Sequence, residues 1–429
     1  MAREPVVSVP SSNVPFHPQG NTKFAQLVGA IQSAPELRSA ERETRIRDAA
    51  RLQSQLLPNP TLDATWGTIP IGRTNPPNLS APLANVPNYR VGVSYTFPLG
   101  KRGPNQAARQ AEYESATLRR CAVGRQLALD LARVVGEMAE VELRIAAISS
   151  LVEAAYDHEK NIAARANQQW ASGLEVDRAT LERGRLEQQR KDAQFDVDLL
   201  EAECATMVGR PCESFGNDVE ARRYLEAWSS ANLGQLQTQS PVKQRPDLLA
   251  LQAEERAATH QQTYFRRMAL PDPTFRIGFV HDQFTISGNQ ASSLELTVAL
   301  PLPLFDWGQA GVRAAGAAAE GFAAERHART QLSEAVLPSL TERWAAQRKR
   351  RQQLVEELVP KAQEALNSVE RAYETRLLSV TDVIQARRTL LDLMLEEIEG
   401  LSDAYAASLS VRMHLAEGAS EGCPGSARE

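Results

Sequence analysis

The sequence predicts a mainly helical protein that also carries four β-strands, built as two copies of a helix–strand–strand–helix unit. Three observations indicate this fold class: a short motif that recurs at a long interval, very long helical stretches, and four short segments of alternating polar and apolar residues. The recurring motif is the most informative of the three, because an internal repeat limits a fold more tightly than any single residue does.

The repeat is marked by two similar motifs, LPNPT at residues 57–61 and LPDPT at residues 270–274. Each is followed by an alternating segment, a loop, a second alternating segment and a Pro-Leu pair before a long helical stretch. Pro58 recurs 213 residues later as Pro271, and Pro98 recurs 205 residues later as Pro303. We therefore expect two intertwined halves of one body rather than a row of independent domains.

The composition agrees with long helices and excludes several classes of protein. Of 429 residues, 24% are charged and 6% are aromatic, and the formal net charge is −5. Lys and Arg are spread along the helices, so the basic patch of a nucleic-acid-binding protein is missing. No run of about 18 apolar residues suits a transmembrane helix. The N-terminus lacks the apolar core of a signal peptide, so we expect either a cytoplasmic chain or a processed or trimmed one.

The first repeat is expected at residues 23–211, after an extended segment at 1–22 that is rich in Pro and Ser. A helix should run from about residue 23 to 57, with a break near Pro35 and an end at Pro58, because the residue before a proline resists the helical conformation. The strands of this repeat are predicted at 61–69 and 88–99, on either side of a loop rich in Pro and Asn.

A very long helix should follow, since no proline occurs between Asn105 and Trp170. Its apolar residues are spaced alternately by four and three positions, which is the heptad pattern of a helix that packs against a partner. These residues are Leu127, Leu131, Val134, Met138, Val141, Ile145, Ile148 and Val152. We expect Gly173 to break this helix at a hairpin tip near 173, and the helix at 174–208 to return antiparallel to it.

The second repeat is expected at residues 244–417, after a connector at 212–243 with a short helix near 221–228. It should contain a helix at 245–270, strands at 274–280 and 293–300, a long helix at 310–375 and a return helix at 377–415. We expect kinks at Pro338 and Pro360, a second hairpin tip near residue 376, and a disordered tail at 418–429.

The four predicted strands each have one apolar and one polar face. The apolar faces carry Leu62, Ala64, Trp66, Tyr89, Val91, Val93, Tyr95, Phe97, Phe275, Ile277, Phe279, Leu294, Leu296, Val298 and Leu300. An ordinary sheet over a core would show this pattern, but the helices use their apolar seams on one another and leave no core for the sheet to cover. Strands of this length can cross an outer membrane at a tilt. Four strands cannot close a barrel and open edges are not tolerated in lipid, so three copies would have to supply twelve strands.

Over about residues 23–417 the sequence resembles the TolC family of outer-membrane efflux channels. The motifs that carry the resemblance are LPNP at 57–60, FPLGKR at 97–102, RPDL at 245–248, LPLPLF at 300–305 and the segment from Tyr373 through Asp382 to Ala386. The resemblance implies a homotrimer with a twelve-stranded β-barrel in the outer membrane above a periplasmic helical tunnel. Such channels are passive ducts for an inner-membrane pump, joined to it by a periplasmic adaptor. The compact length and the motifs are most similar to the heavy-metal, CzcC-like branch.

The resemblance also implies an acidic constriction ring at the second hairpin tip. Asp382 matches one ring position, Gln385 stands at the second acidic position, and Arg376 replaces the glycine that many relatives have at the turn. Asp382 could pair with Arg376 or Arg387, or it could simply cap the return helix; both roles are compatible.

Further candidates follow from the tips and from the polar strand faces. The adaptor is expected to dock at the tips, where the candidates are Gly173, Leu174, Leu377 and Ser379. Arg90, Arg276 and Glu295 either line the lumen of the barrel and tune ion passage or are merely solvated in a wide pore.

The remaining reactive residues suggest neither a metal site nor an active site. The six histidines contain no i, i+4 pair, and the four cysteines have no metal-site spacing. Cys204 and Cys212 could form a disulfide in an oxidising compartment, or all cysteines could be unpaired thiols of the helices. No catalytic triad, phosphate-binding loop or paired carboxylates are apparent, so we expect neither enzymatic activity nor a cofactor.

The sequence therefore predicts the outer-membrane channel subunit of a tripartite efflux system of the RND type, located in the outer membrane with a periplasmic helical portion. The alternative is a periplasmic coiled-coil adaptor or a structural coiled coil. The missing signal peptide favours the alternative, whereas two hairpins and lipid-compatible strands favour the channel.

Overall fold

The computed structural model of the chain describes residues 22–67, 88–230, 232–282, 290–375, 377–417 and 423. The predicted N-terminal extension up to residue 21, the two loops between the strands at 68–87 and 283–289, Arg376, and the tail except residue 423 lie outside the described residues. Within the described residues no helix is long and apolar enough to span a membrane.

The first repeat forms helices and strands close to the predicted positions. Its elements are α1 (Thr22–Ala30), α2 (Pro35–Gln55), β1 (Thr61–Gly67), β2 (Asn88–Thr96), α3 (Arg102–Asn167) and α4 (Gly173–Val208). A short 3-10 turn at Ile31–Ser33 separates α1 from α2, so the break near Pro35 is present. The 66 residues of α3 form one uninterrupted helix.

The connector and the second repeat follow the same plan. Their elements are α5 (Asp218–Ser229), α6 (Leu233–Gln239), α7 (Pro246–Arg266), β3 (Thr274–Asp282), β4 (Ser292–Ala299), α8 (Gln309–Gln353), α9 (Val359–Glu374) and α10 (Val380–His414). Left-handed glycines precede both long helices, Gly100 before α3 and Gly308 before α8. A Cβ at Gly308 would lie 2.3 Å from the carbonyl oxygen of Phe265, so only glycine fits that turn.

The two prolines of the second long helix act differently from each other. Pro338 lies inside α8, which continues through it. Before Pro360 the chain forms a π-helical segment, Leu354–Leu358, and the N–H of Val359 donates to the carbonyl of Leu354. Because proline has no N–H and clashes with the preceding turn, a wider π-turn at this place relieves both problems.

The four strands form a single antiparallel sheet in the order β1-β2-β3-β4. Thr61 is opposite Ser94 in the first hairpin, Gly92 is opposite Gly278 where the two repeats meet, and Thr274 is opposite Ala299 in the second hairpin. β1 and β4 are the two edges of this sheet.

The chain divides into two compact units that cut across the repeats. One unit contains Met1–Glu43, Ala116–Ala250 and Arg326–Glu429, and the other contains Thr44–Ser115 and Leu251–Glu325. The second unit holds the sheet. Each unit draws on both repeats, which is the intertwined arrangement that the repeat predicts.

The core of the first unit is built from helices of both repeats and the connector. The predicted heptad seam of α3 supplies several of its buried residues, among them Leu131, Val134 and Met138. An aromatic cluster completes this core and consists of Phe24, Tyr224, Trp228 and Tyr405. Since α3 packs on more than one partner, it is buried beyond the narrow heptad seam, for example at Leu129 and Leu143.

All four cysteines are paired, so the alternative of unpaired thiols is wrong. Cys204 bonds to Cys212, and Cys121 bonds to Cys423, which lies 302 residues away. Gly209, with φ of 73°, ends α4 and turns the chain so that the Cα atoms of Cys204 and Cys212 are 5.9 Å apart. The sequence gives no sign of the Cys121–Cys423 pair, because its partners meet only through the packing of the whole unit.

Candidate functional site

Three charged residues form a cluster on the polar face of the sheet. Arg276 on β3 donates to Asp63 on β1, with 2.6 Å between Nη2 and Oδ2 and 3.1 Å between Nε and Oδ1. Its Nη1 also donates to Glu295 on β4 over 2.7 Å. The guanidinium therefore holds carboxylates from both edge strands and spans the full width of the sheet.

Two glycines make room for this guanidinium. Asp63, Gly92, Gly278 and Glu295 lie in one row across the four strands. A Cβ at Gly92 would lie 2.7 Å from Nη2 of Arg276, and a Cβ at Gly278 would lie 3.1 Å from its Nη1. The row thus has a carboxylate at each end and two glycines, which lack side chains, between them.

The structure brings together two of the three predicted residues of this face. Arg276 and Glu295 are in direct contact, whereas Arg90 is exposed and makes no ion pair within the described part of the chain. Asp63 is not among the predicted residues, although the repeat contains a signal for it. Asp63 lies 213 residues before Arg276, which is the interval that separates the two Pro motifs.

The opposite face of the sheet is apolar and exposed. Leu296 on β4 is 73% exposed, and Leu62, Val93 and Ile277 share its row across the sheet. Aromatic residues concentrate at both ends of this face: Trp66, Tyr89 and Phe279 at one end, and Tyr95, Phe97 and Phe275 at the other. Aromatic residues at both margins of an apolar band are typical of strands that cross a lipid bilayer.

The first hairpin tip lies at residues 168–172, slightly before the predicted break. Gln169 adopts a left-handed conformation with φ of 62°, and Ser172 caps α4. Glu175 completes a capping box, because its carboxylate accepts from the N–H of Ser172 over 2.7 Å. Gly173 is the first residue of α4 and does not break a helix; nothing lies near its Cβ position and its φ is not positive.

The second tip is built with the same cap. Asp382 accepts hydrogen bonds from the N–H and the hydroxyl of Ser379 over 2.8 and 2.7 Å. These bonds from Ser379 lower the pKa of Asp382, so its carboxylate is charged at neutral pH. Asp382 is thus the helix cap that the sequence offered as one alternative, and its side chain and that of Gln385 are exposed. Arg376 lies outside the described residues.

Arg387 does not pair with Asp382. Its side chain is buried, with 8% exposed, and its Nη2 donates to Glu370 over 2.7 Å. The ring of His158 packs against Tyr373 beside this pair, with 5.3 Å between the ring centroids. Burial, aided by the positive charge of Arg387, lowers the pKa of His158 to about 4, so this histidine is neutral. The burial removes Arg387 from the residues that could line an aperture.

The two tips pack together and leave apolar side chains exposed. Ile162, Ala179 and Val380 form a small core between the hairpins, and Arg178 donates to Thr381 over 2.8 Å. Leu174 is 59% exposed and Leu377 is 78% exposed, beside the exposed cap residue Ser379. The docking candidates therefore share one end of the helical hairpins.

Deeper in the first unit, Glu397 joins the connector to the second repeat. It accepts from Arg222 over 2.8 and 3.0 Å and from Arg351 over 3.0 Å. Burial acts to raise the pKa of Glu397, but the hydrogen bonds from Arg222 and Arg351 outweigh burial and lower it.

No group of three or more His, Cys, Asp or Glu side chains suited to a metal ion occurs among the described residues.

Comparison with known proteins finds a family match for much of the second half of the chain. Residues 239–417 match the model of the outer membrane efflux protein family. The resemblance that the sequence motifs indicate is confirmed over this part of the chain. No curated protein matches the sequence.

Solved outer-membrane channels share the fold of nearly the whole chain at low sequence identity. The outer membrane protein VceC of Vibrio cholerae is 16% identical with a TM-score of 0.68, and the match covers 92% of this chain and 96% of VceC. CusC is 13% identical with a TM-score of 0.69, over 96% of this chain and 99% of CusC. The outer membrane channel CmeC of Campylobacter jejuni is 12% identical with a TM-score of 0.67, over 95% and 87% of the two chains. The predicted fold of long helices with four strands is thereby confirmed.

Proposed function

We propose that this chain, whose residues 239–417 match the outer membrane efflux protein family, is one subunit of a homotrimeric outer-membrane channel. Each subunit contributes four strands to a twelve-stranded barrel and its helical hairpins to a periplasmic tunnel. The observation that carries the proposal is the sheet, which has one charged face, one exposed apolar face and two open edges.

The exposed apolar face fits contact with lipid. Large side chains such as Leu296, Leu294 and Ile277 are exposed on this face. Contact between apolar surface and water costs about 25 cal/mol per Å². The aromatic residues at both margins match the belts at the two membrane–water interfaces. The charged face then lines the lumen, with Arg90, Arg276 and Glu295 in contact with water.

The open edges and one helix face support a trimer. An edge strand cannot remain unpaired in lipid, because each unsatisfied backbone group costs several kcal/mol there. Further copies of the chain can satisfy β1 and β4 and close a barrel with an even number of strands. The helix α4 also exposes Leu181, Phe195 and Leu199 along one face, which suits packing against the helices of a second copy.

At the periplasmic end we assign the aperture to Asp382 and Gln385. Both side chains are exposed at the second tip, and three copies would bring three Asp382 carboxylates around one axis. Such a ring attracts cations. The tips, with Gly173, Leu174, Leu377 and Ser379, would receive the periplasmic adaptor that joins the channel to an inner-membrane pump of the RND type.

The two disulfides support an assignment to the periplasm and outer membrane. Disulfides persist in oxidising compartments such as the periplasm and are rare in the cytosol. The pairs Cys121–Cys423 and Cys204–Cys212 both lie in the helical unit that would stand in the periplasm.

The proposed transport role rests on the architecture of a channel and not on a binding site for the cargo. A passive duct exports what its pump delivers, and we propose heavy-metal cations as the cargo on the strength of the sequence motifs. Expression in a strain that lacks its own channel should restore tolerance to cobalt, zinc or cadmium. Unchanged tolerance to all three metals would reject this cargo and leave the channel itself in place.

A pair of neighbouring substitutions tests which face of the sheet contacts lipid. Leu296→Arg puts a charge on the apolar face, and we expect it to destabilise the barrel by about 2–4 kcal/mol and to reduce the amount in the outer-membrane fraction. Ser293→Arg puts the same charge on the polar face of β4, two residues from Glu295 and opposite Val280, and should be tolerated. Equal yields of both variants, or full recovery of the wild type in a detergent-free soluble fraction, would reject the channel and favour an adaptor or structural protein.

A further inference from the structure

The two hairpins of the sheet are copies at the level of backbone pairing. Thr61 is opposite Ser94 in the first hairpin. The repeat interval of 213 residues carries Thr61 to Thr274, and the interval of 205 residues carries Ser94 to Ala299. Thr274 and Ala299 are in fact opposite each other in the second hairpin. The intervals read from the proline motifs therefore hold residue by residue in the strands.

Within one chain, the two repeats meet where β2 pairs with β3. Gly92 is opposite Gly278 at this junction. The same intervals carry Gly92 on β2 to Thr297 on β4, and Gly278 on β3 back to Thr65 on β1. If the two repeats occupy equivalent positions around a closed barrel, β4 pairs with β1 of the neighbouring subunit in the same register in which β2 pairs with β3.

We propose that β4 of one subunit pairs antiparallel with β1 of a second copy of this chain, with Thr297 opposite Thr65 of that copy. The inference rests on the trimeric barrel proposed above and specifies how its seams are formed. In this register Leu296 is opposite Trp66, Val298 is opposite Ala64, and Ala299 is opposite Asp63.

The faces of the two strands agree with this register. Leu296 and Val298 lie on the apolar face of β4, and their proposed partners Trp66 and Ala64 lie on the apolar face of β1. A shift by one residue would oppose apolar to polar side chains along the whole seam.

Charge also restricts the register. A slip by four residues would place Glu295 directly opposite Asp63 of the next copy, and like charges in that position are destabilising. In the proposed register Glu295 is opposite Gly67 instead, and Asp63 is opposite Ala299.

The register also closes a barrel of ordinary geometry. One row of the sheet runs from Thr61 through Ser94 and Arg276 to Thr297, and the proposed seam continues it at Thr65 of the next copy. The row thus advances by four residues in each subunit, or by one residue per strand around the trimer. A barrel whose shear equals its number of strands has a tilt of about 36°, which lies within the range of about 35–45° for outer-membrane barrels.

Cysteine cross-linking of the trimer tests the seam. The described part of the chain has no free cysteine, so Val298→Cys and Ala64→Cys introduced together provide the only reactive pair. Within one subunit these positions lie on opposite edges of the sheet. They are separated by three strand spacings, or about 14 Å, across the sheet and by four residues, or about 13 Å, along the strands, which is too far for a disulfide. Mild oxidation should therefore yield covalent dimers and trimers that a reducing agent dissolves.

The matched controls shift the pair by two residues on the same face. Val298→Cys with Leu62→Cys, and Val298→Cys with Trp66→Cys, would place the two cysteines on diagonal positions, with their Cα atoms about 7–8 Å apart. We expect both to cross-link at least about tenfold more slowly than Val298→Cys with Ala64→Cys, since that separation exceeds disulfide geometry. Thr297→Cys with Thr65→Cys tests the same register from the polar face if the first pair disturbs assembly.

Each outcome decides a different part of the inference. Fastest cross-linking to Leu62→Cys or Trp66→Cys would overturn the register and leave the trimer in place. A protein that is trimeric by mass in detergent but cross-links at none of these pairs would overturn the β4–β1 seam. A monomer by mass would reject the proposed channel together with its seam.

Discussion

Asp63 and Arg276 occupy the same position in the two repeats, and their opposite charges allow a contact that joins the repeats. If both positions held carboxylates, the charged cluster beside Gly92 and Gly278 would contain three acids and no base. Instead one guanidinium pairs with the carboxylates of both edge strands. The second charged position of each repeat has diverged in the same way, since Arg90 lies 205 residues before Glu295. The described polar face is therefore close to neutral, and charge selectivity should originate at the tips.

The equivalent caps of the two tips provide a matched test of the aperture. Asp382→Asn and Glu175→Gln each remove the carboxylate of a capping box. Each should cost about 0.3–1 kcal/mol of stability, because the amide oxygen can still accept the hydrogen bond and only the charge near the helix N-terminus is lost. Only Asp382 lies at the proposed aperture. We therefore expect Asp382→Asn to lower the cation-to-anion permeability ratio in planar bilayers, and Glu175→Gln to leave that ratio unchanged.

A permeability ratio that responds equally to both substitutions would mean that the aperture does not depend on Asp382. Thermal unfolding of both variants in detergent provides the control for folding. Similar losses of stability in the two proteins would show that a difference in permeability reflects the position of the charge and not damage to the fold.

At the scale of single residues, the sequence predicts best those features that local chemistry determines. The cap at Asp382 follows from a Ser followed three residues later by an acid, which is a local signal. The partner of Arg387 does not follow, because Glu370 lies on a different helix and only the hairpin brings the two together. The Cys121–Cys423 pair is unpredictable for the same reason.

At the scale of elements, one glycine of the longest helix has a packing role. A Cβ at Gly136 in α3 would lie 2.3 Å from the ring of Tyr405. That ring is buried between Tyr224 and Trp228, and its hydroxyl donates to the carbonyl of Ala132. The ring cannot withdraw, so α3 and α10 approach closely only because residue 136 lacks a side chain.

We expect Gly136→Ala to destabilise the protein by about 1–3 kcal/mol through overpacking, although alanine favours a helix by about 1 kcal/mol. The control is Gly321→Ala in α8, where nothing lies near the Cβ position. That substitution should stabilise the protein by about 0.5–1 kcal/mol. Thermal unfolding followed by far-ultraviolet circular dichroism measures both effects, and a gain for both variants would contradict the close packing of Tyr405.

The positions of most elements could be predicted because proline and periodicity act locally. Pro58 and Pro360 mark places where a helix ends or changes its pitch, and the strands follow from alternation. The first tip differs slightly, since the turn is made by Gln169 and the Ser172 cap, and glycine alone gave a misleading signal at Gly173. The π-segment before Pro360 could not be predicted in form, because several local distortions relieve a proline equally well.

At the scale of the whole molecule, the chain passes between its two compact units at residues 43/44, 115/116, 250/251 and 325/326. Neither repeat can complete a unit alone, because each unit takes segments from both. The sequence repeat therefore shows which strands and helices are copies of one another, whereas the compact units show which of them must fold together. Long-range links should accordingly contribute more to stability than local ones.

The two disulfides test this expectation directly. Cys121–Cys423 closes a separation of 302 residues, and Cys204–Cys212 closes one of 8 residues. Loop-closure entropy predicts a contribution of roughly 5–6 kcal/mol for the long link and roughly 2–3 kcal/mol for the short one. We expect the double substitution of Cys121 and Cys423 by Ala to lower the melting temperature more than the double substitution of Cys204 and Cys212 by Ala. All four cysteines are buried, so the loss of packing is similar in the two variants. Equal melting temperatures would mean that the long disulfide does not restrict the unfolded chain more than the short disulfide does. Thiol counting by mass spectrometry under denaturing conditions verifies which disulfide is intact in each protein.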